Sequence, residues 1–266
     1  MYVNQSVVSL WKEPSEDERT DEALYGMRAQ VLQEEEGWSY VRMYYGYEGW
    51  MQSRYLSQET DTAFGTGKYV AAAWADVMES PAVQAKIRIT IPRGSLIMAL
   101  GSAKDGWQKV ALWNGECGFV PSNFLRDFIS LSTDVWKNNE SLIRQRVAVT
   151  ATGYMGVQYR WGGKSPAGID CSGLAQMAYL INGIVIYRDA RLEPDYPVHE
   201  IDSDAKKQGD LLYFPGHIAI YLGNDRYVHA TAKAGCHHVT VNSLNPDAVD
   251  YREDLAEQLL AVGSIF

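Results

Sequence analysis

Cys171 is the residue most able to do chemistry in this chain. It stands in the segment YRWGGKSPAGIDCSG, residues 159–173, directly after the acidic Asp170 and a Gly-rich approach. The residues after it predict a helix reading CSGLAQMAYLING: Leu174, Met177, Ala178 and Ile181 recur at the three-and-four spacing of a buried face. Asn182-Gly183 is its expected stop. A thiol in the first turn of a helix meets the positive end of the backbone dipole, which favours the nucleophilic thiolate. The expected chemistry is therefore attack by sulfur.

Such a nucleophile needs a base. Residues 209–230, GDLLYFPGHIAIYLGNDRYVHA, alternate well enough to predict three short antiparallel strands, with turns at Pro215-Gly216 and Gly223-Asn224-Asp225. His217 opens the middle strand, and His229 lies near the end of the next. A hairpin tip at 223–225 brings both histidines to one face, with His217 as base and His229 holding its imidazole in the useful tautomer.

Ahead of these elements the chain repeats itself. Gly37-Trp38, Val41, Gly49-Trp50 and Leu56 recur as Gly106-Trp107, Val110, Gly118-Phe119 and Leu125, each offset by 69 residues. Each copy, about sixty residues long, is a set of short β-like runs in which Gly-Trp marks a strand start with a buried aromatic. That pattern suits a small barrel. Residues 127–140, DFISLSTDVWKNNE, read as a linker, and SLIRQRVAVTATGYMG as a helix leading into the last domain. The expected division is 1–60, 61–127, a linker at 128–140, and 141–266.

The blocks YRWGGKSPAGIDCSG, GDLLYF, GHIAIYLG and YVHA, in that order, resemble the catalytic domain of NlpC/P60 cysteine peptidases, which cut bacterial cell-wall peptides. The repeats resemble the bacterial SH3-like domains that often accompany it. The resemblance implies an α+β fold, a papain-like catalytic domain preceded by two small SH3-like β-barrels. It carries the nucleophile, base and orienting residue onto Cys171, His217 and His229. Tyr159 corresponds to the tyrosine that joins the cysteine backbone N–H in holding the oxyanion. No metal or organic cofactor is implied. Only two residues separate the first strand from His217, a shorter connection than in many relatives.

The whole layout is similar to γ-D-glutamyl-L-diamino acid endopeptidases (dipeptidyl-peptidase VI). These cleave after L-Ala-γ-D-Glu and require a free alanine amine, with the first SH3-like domain closing one end of the groove. The implied substrate is a murein peptide such as L-Ala-γ-D-Glu-L-Lys or its diaminopimelate counterpart. The implied peptide contacts are Asp170, Ser172, Asp189 in IYRDA, and Tyr47 in GYEGW. Ala190 stands where the subgroup's R-D-S segment has a serine. Blander readings remain beside these. Asp170 caps the helix, Asp189 pairs with Arg188 or Arg191, Tyr159 packs on Trp161, and Tyr44 or Tyr45 replaces Tyr47. Cys236-His237-His238 matches no zinc spacing. The alternative function is hydrolysis of intact wall, with the SH3-like domains as binding modules.

Composition narrows the partners. At 266 residues and 46% hydrophobic, the chain can bury two or three cores. Its net charge of -9 argues against nucleic acid. No apolar run is long enough to span a membrane. The start, MYVNQSVVSLWKEPSEDERTDE, shows no basic-then-apolar leader, so the expected place is the cytoplasm, or an exported state with the signal already removed. Three cysteines, one assigned to catalysis, favour a reduced chain.

Overall fold

The computed structural model describes residues 1–58, 65–128 and 133–266, and the chain divides into two compact units, Met1–Phe128 and Ile129–Phe266. The first is almost entirely β. Its five-stranded sheet runs in the order Arg19–Leu24, Val7–Trp11, Glu48–Gln52, Trp38–Met43, Ala29–Glu35. A seven-stranded sheet contains the corresponding strands Trp107–Ala111 and Cys117–Pro121.

The 69-residue repeat is a repeat of hydrogen-bond register. Val41 pairs with Gly49 as Val110 pairs with Gly118, and Trp38 with Gln52 as Trp107 with Pro121. In both copies the turn glycine, Gly37 or Gly106, has positive φ and accepts the N–H of Ser53 or Ser122 at 2.8 Å. A short 3₁₀ turn follows each second strand, Ser53–Tyr55 and Ser122–Phe124. One expectation needs correcting: Trp38 and Trp107 are half-buried, whereas Val41 and Val110 are wholly enclosed. Within this unit the Leu96 N–H donates to the Tyr25 carbonyl at 2.8 Å, and Tyr2 stacks on Trp113 at 3.8 Å.

The second unit is α+β. Its six-stranded antiparallel sheet runs His199–Ile201, Ala261–Ser264, Leu211–Phe214, His217–Gly223, Arg226–Ala230, Val239–Ser243. The helices Glu140–Thr152 and Cys171–Leu180 pack on each other and on the strand His217–Gly223. All ten residues of Cys171–Leu180 are buried, so the helix has no solvent face opposite Leu174 and Met177. A short helix that is apolar nearly all round gains most when fully enclosed. Leu212, Phe214, Ala219, Tyr221, Tyr227 and Val262 form one core cluster of the sheet.

The segment read as a linker is only partly one. Thr133–Lys137 is helical, and Trp136 buries its ring edge-on against Phe266, 5.7 Å between centroids. An indole that finds an apolar partner draws its backbone into the folded unit. Residues 129–132 of that segment lie outside the described residues. No helix among the described residues is long and apolar enough to cross a membrane.

Candidate active site

Cys171 is the first residue of its helix, and Asp170 is the N-cap, its carboxylate accepting the Gly173 N–H at 2.6 Å. The glycines around it are needed for contact. A Cβ on Gly173 would lie 2.2 Å from the Gly163 carbonyl oxygen, and one on Gly163 would lie 2.4 Å from that of Gly168. The turn before the helix can thus press backbone on backbone only without side chains there.

Asp170 does more than cap. It accepts the Gly162 N–H at 2.8 Å and a two-pronged contact from Arg188, Nη1 and Nη2 each at 3.0 Å. Arg188 also donates to the Ser172 hydroxyl at 2.7 Å, and Ser172 donates weakly to Asp170 at 3.3 Å. Asp170, Ser172 and Arg188 are all buried. The cap expected of Asp170 is present, and the same carboxylate is held by several groups of the chain itself. An ionised carboxylate offers about four acceptor sites, and groups of the chain itself fill them. Arg188 thus pairs with Asp170, a partner that the sequence reading did not name. Asp189 is half-exposed and accepts the Tyr187 hydroxyl, while Arg191 pairs with Glu193 at 3.2 Å.

The sulfur is not a resting thiolate. Burial pushes the Cys171 thiol up to about 11, and the Asp170 charge adds to that. The N–H groups of Ile218 and Ser172 bond the sulfur and pull the other way, as does the Arg188 charge, but they lose. Burial opposes the charged form that the helix end favours. Ile218 directly follows His217, so its contact puts the sulfur beside the first residue of the base strand.

His217 and His229 meet as the hairpin expectation requires. Phe214 pairs with His217 across Pro215-Gly216, with Gly216 in the left-handed region. Asn224 and Asp225 both take positive φ in the next turn, the geometry that a tight two-residue hairpin demands. His217 Nε2 lies 2.7 Å from His229 Nδ1, and His229 Nε2 lies 2.9 Å from Asn242 Oδ1. Burial, chiefly, holds His217 down to about 3 and His229 to about 4. Both rings are neutral at physiological pH. Asn242 was not singled out from the sequence. It reaches His229 only through the register Tyr227 to Asn242 and His229 to Thr240, which places it on that face.

Tyr159 is half-buried, its N–H bound to the His237 carbonyl at 2.7 Å. Burial, then the charges of Cys171 and Asp170, raise its hydroxyl well above the usual range, so it stays a donor near the sulfur. Tyr47 belongs to the first unit, in the turn between Trp38–Met43 and Glu48–Gln52, where its carbonyl accepts the Met43 N–H at 2.8 Å. Of its neighbours, Tyr45 is buried and donates to Asp21 at 2.5 Å. Cys236 and His238 approach to 3.7 Å, but no group able to hold a metal occurs among the described residues.

Comparison with known proteins fits this arrangement. The NlpC/P60 family matches residues 156–253, and the bacterial dipeptidyl-peptidase SH3 domain matches residues 10–56. The chain is 42% identical to dipeptidyl-peptidase 6 of Lysinibacillus sphaericus over 98% of its own length and 97% of the relative's. The chain belongs to the NlpC/P60 family of cysteine peptidases. It is also 25% identical to the γ-D-glutamyl-L-lysine dipeptidyl-peptidase of Bacillus cereus, over 79% of this chain and 66% of that one. A crystal structure of an NlpC/P60 family protein from Bacillus cereus shares the fold, with a TM-score of 0.80 at 20% identity over 98% and 97% of the two chains.

Proposed function

We propose that this peptidase hydrolyses the amide between γ-D-glutamate and an L-diamino acid, lysine or diaminopimelate, in murein peptides that carry a free N-terminal L-alanine. It serves the turnover of peptides already released from the wall. The observation that carries this reading is near-full-length similarity to a dipeptidyl-peptidase, together with a thiol bonded by the N–H of Ile218, the residue that follows His217, whose imidazole is linked to that of His229. We also propose the division 1–60, 61–127 and 141–266, two SH3-like domains before the catalytic one, with the helix Thr133–Lys137 of the connecting segment packed on the last.

In this reading, His217 takes the Cys171 proton as the sulfur attacks the γ-carbonyl of D-glutamate. The Cys171 backbone N–H and the Tyr159 hydroxyl hold the oxyanion, each worth about 3–4 kcal/mol. An amide in the first turn of a helix has no intrahelical acceptor, so that N–H is free for the task. Collapse expels the α-amine of the diamino acid, which leaves with the proton from His217. Water activated by the same imidazole then releases L-Ala-D-Glu and restores the thiol. A resting neutral thiol and a neutral imidazole suit this order, because the proton moves only when the carbonyl is in place.

A buried ammonium needs an anion, and in this reading Asp170 and Asp189 supply it together. Ser172 is a further peptide contact in this reading, its hydroxyl turning from the weak 3.3 Å bond with Asp170 to donate to the glutamyl carboxylate. Tyr47 remains the contact contributed by the first SH3-like domain.

Purified protein should be given L-Ala-γ-D-Glu-L-Lys, its N-acetylated form, and intact sacculi. The expected result is rapid release of lysine from the free peptide alone, slower turnover with Asp189→Asn or Tyr47→Phe, and none with Cys171→Ala. Equal turnover of the acetylated peptide would remove the amine requirement. Activity confined to sacculi would instead favour the wall-hydrolase reading.

A further inference from the structure

We infer that Asn242 is a positioning residue that determines which ring nitrogen of His217 is free to receive the thiol proton. The inference rests on the reading of Cys171 and His217 as nucleophile and base. It starts from a backbone carbonyl that can only accept. The Asp250 carbonyl lies 2.8 Å from the Asn242 side-chain amide, so the Asn242 nitrogen must face it. That leaves the Asn242 oxygen towards His229 Nε2, at 2.9 Å. A carbonyl oxygen cannot donate, so Nε2 of His229 carries the hydrogen.

The consequence passes along the pair. A neutral imidazole protonated on Nε2 has a bare Nδ1. His229 Nδ1 therefore accepts, and at 2.7 Å its donor is His217 Nε2. His217 then keeps a lone pair on Nδ1, the one nitrogen left to take a proton from sulfur. Once that proton arrives, His217 Nε2–H still donates to His229, and no hydrogen bond is lost in the step.

Without the amide at residue 242 the polarity of this chain is unset. His229 can carry its hydrogen on Nδ1 and donate to His217 Nε2. The His217 hydrogen then sits on Nδ1, where it blocks acceptance. Asn242 thus acts through two rings and touches neither sulfur nor peptide.

Several groups face the two rings. The ion pair of Arg252 with Asp254, at 2.6 and 2.7 Å, acts on both. The Tyr227 ring lies 5.1 Å from His229 and the Phe214 ring 6.0 Å from His217. The pH arm of the test must hold Arg252 and Asp254 constant, which substitutions at 242 do.

The test uses the full chain with ¹⁵N-labelled histidine, five residues in all, assigned by His217→Gln and His229→Gln. The unsubstituted enzyme should show both His217 and His229 protonated on Nε2. Asn242→Leu should bring the Nδ1-protonated form into the spectrum and lower kcat by about a hundredfold, the scale of general-base catalysis, with KM unchanged. Asn242→Asp should restore most of kcat, with the acid limb of the pH profile moved upward because a carboxylate favours imidazolium.

An unsubstituted enzyme carrying the His217 proton on Nδ1 would overturn the inference whatever Asn242→Leu does. So would wild-type kcat in a folded Asn242→Leu protein. Cys171→Ala run in parallel separates the two claims. If it still cleaves, the catalytic reading fails, while the tautomer spectrum judges Asn242 by itself.

Discussion

The two sides of Cys171 are built on opposite principles. On one side Asp170, Arg188 and Ser172 form a charged cluster in which nearly every donor and acceptor is used. On the other, His217, His229 and Asn242 form a neutral chain with one hydrogen bond per link. The charged side holds the start of a fully buried helix in one place. Its ions are mutually neutralised and have nothing left to give a proton. The neutral side has an open position, and burial keeps its rings uncharged until a proton arrives. Stability and reactivity are thereby separated across one sulfur atom.

That contrast can be broken by substitution. Asp170→Ala should give the largest loss, about 3–5 kcal/mol of unfolding free energy in urea, because Arg188 would stay buried without its anion. If stability falls by less than about 1 kcal/mol, the charged side is not the anchor described here. Acid should expose the neutral side next. The unfolded chain binds a proton at His229 near pH 6.5, the folded chain only near 4, so stability rises with pH across that interval. Acidification through it should remove about 3 kcal/mol at this residue. His229→Gln should flatten the dependence, and an unchanged slope would contradict a buried neutral imidazole.

Tyr159→Phe should act on rate alone. About a hundredfold loss in kcat is expected, with an unfolding transition within about 0.5 kcal/mol of the parent. A matching loss of stability would make Tyr159 a packing residue. The smallest effect is expected where charge is exposed. Lys207 is 65% exposed and lies 3.3 Å from Glu140, so Lys207→Ala should change stability by less than about 1 kcal/mol. A larger change would show that charge alone, without burial, anchors this unit.

Much of the fold was legible because its signals are local. The Asn224–Asp225 turn needs positive φ, and the sequence around Gly223 advertised it. The 69-residue repeat was visible because each copy needs a turn glycine before a half-wet tryptophan and a glycine opposite a buried valine. Cys171, His217 and His229 stood out by residue type and by the blocks around them. Asn242 did not, since its contact with His229 depends on which strand pairs with which and in what register. The pairing of Arg188 with Asp170, eighteen residues away, was not legible either, since it depends on how the chain folds back on the start of the helix.

Residue order by itself determined that this chain contains a helix headed by a cysteine, a histidine hairpin and two β-rich repeats. Turn chemistry, hydrophobic spacing and the need for bare glycine backbone act over a few residues each. The protonation of the site was decided only in three dimensions. Burial depends on what the rest of the chain places around a group, and at Cys171 the water it removes works against the charge that the helix end favours.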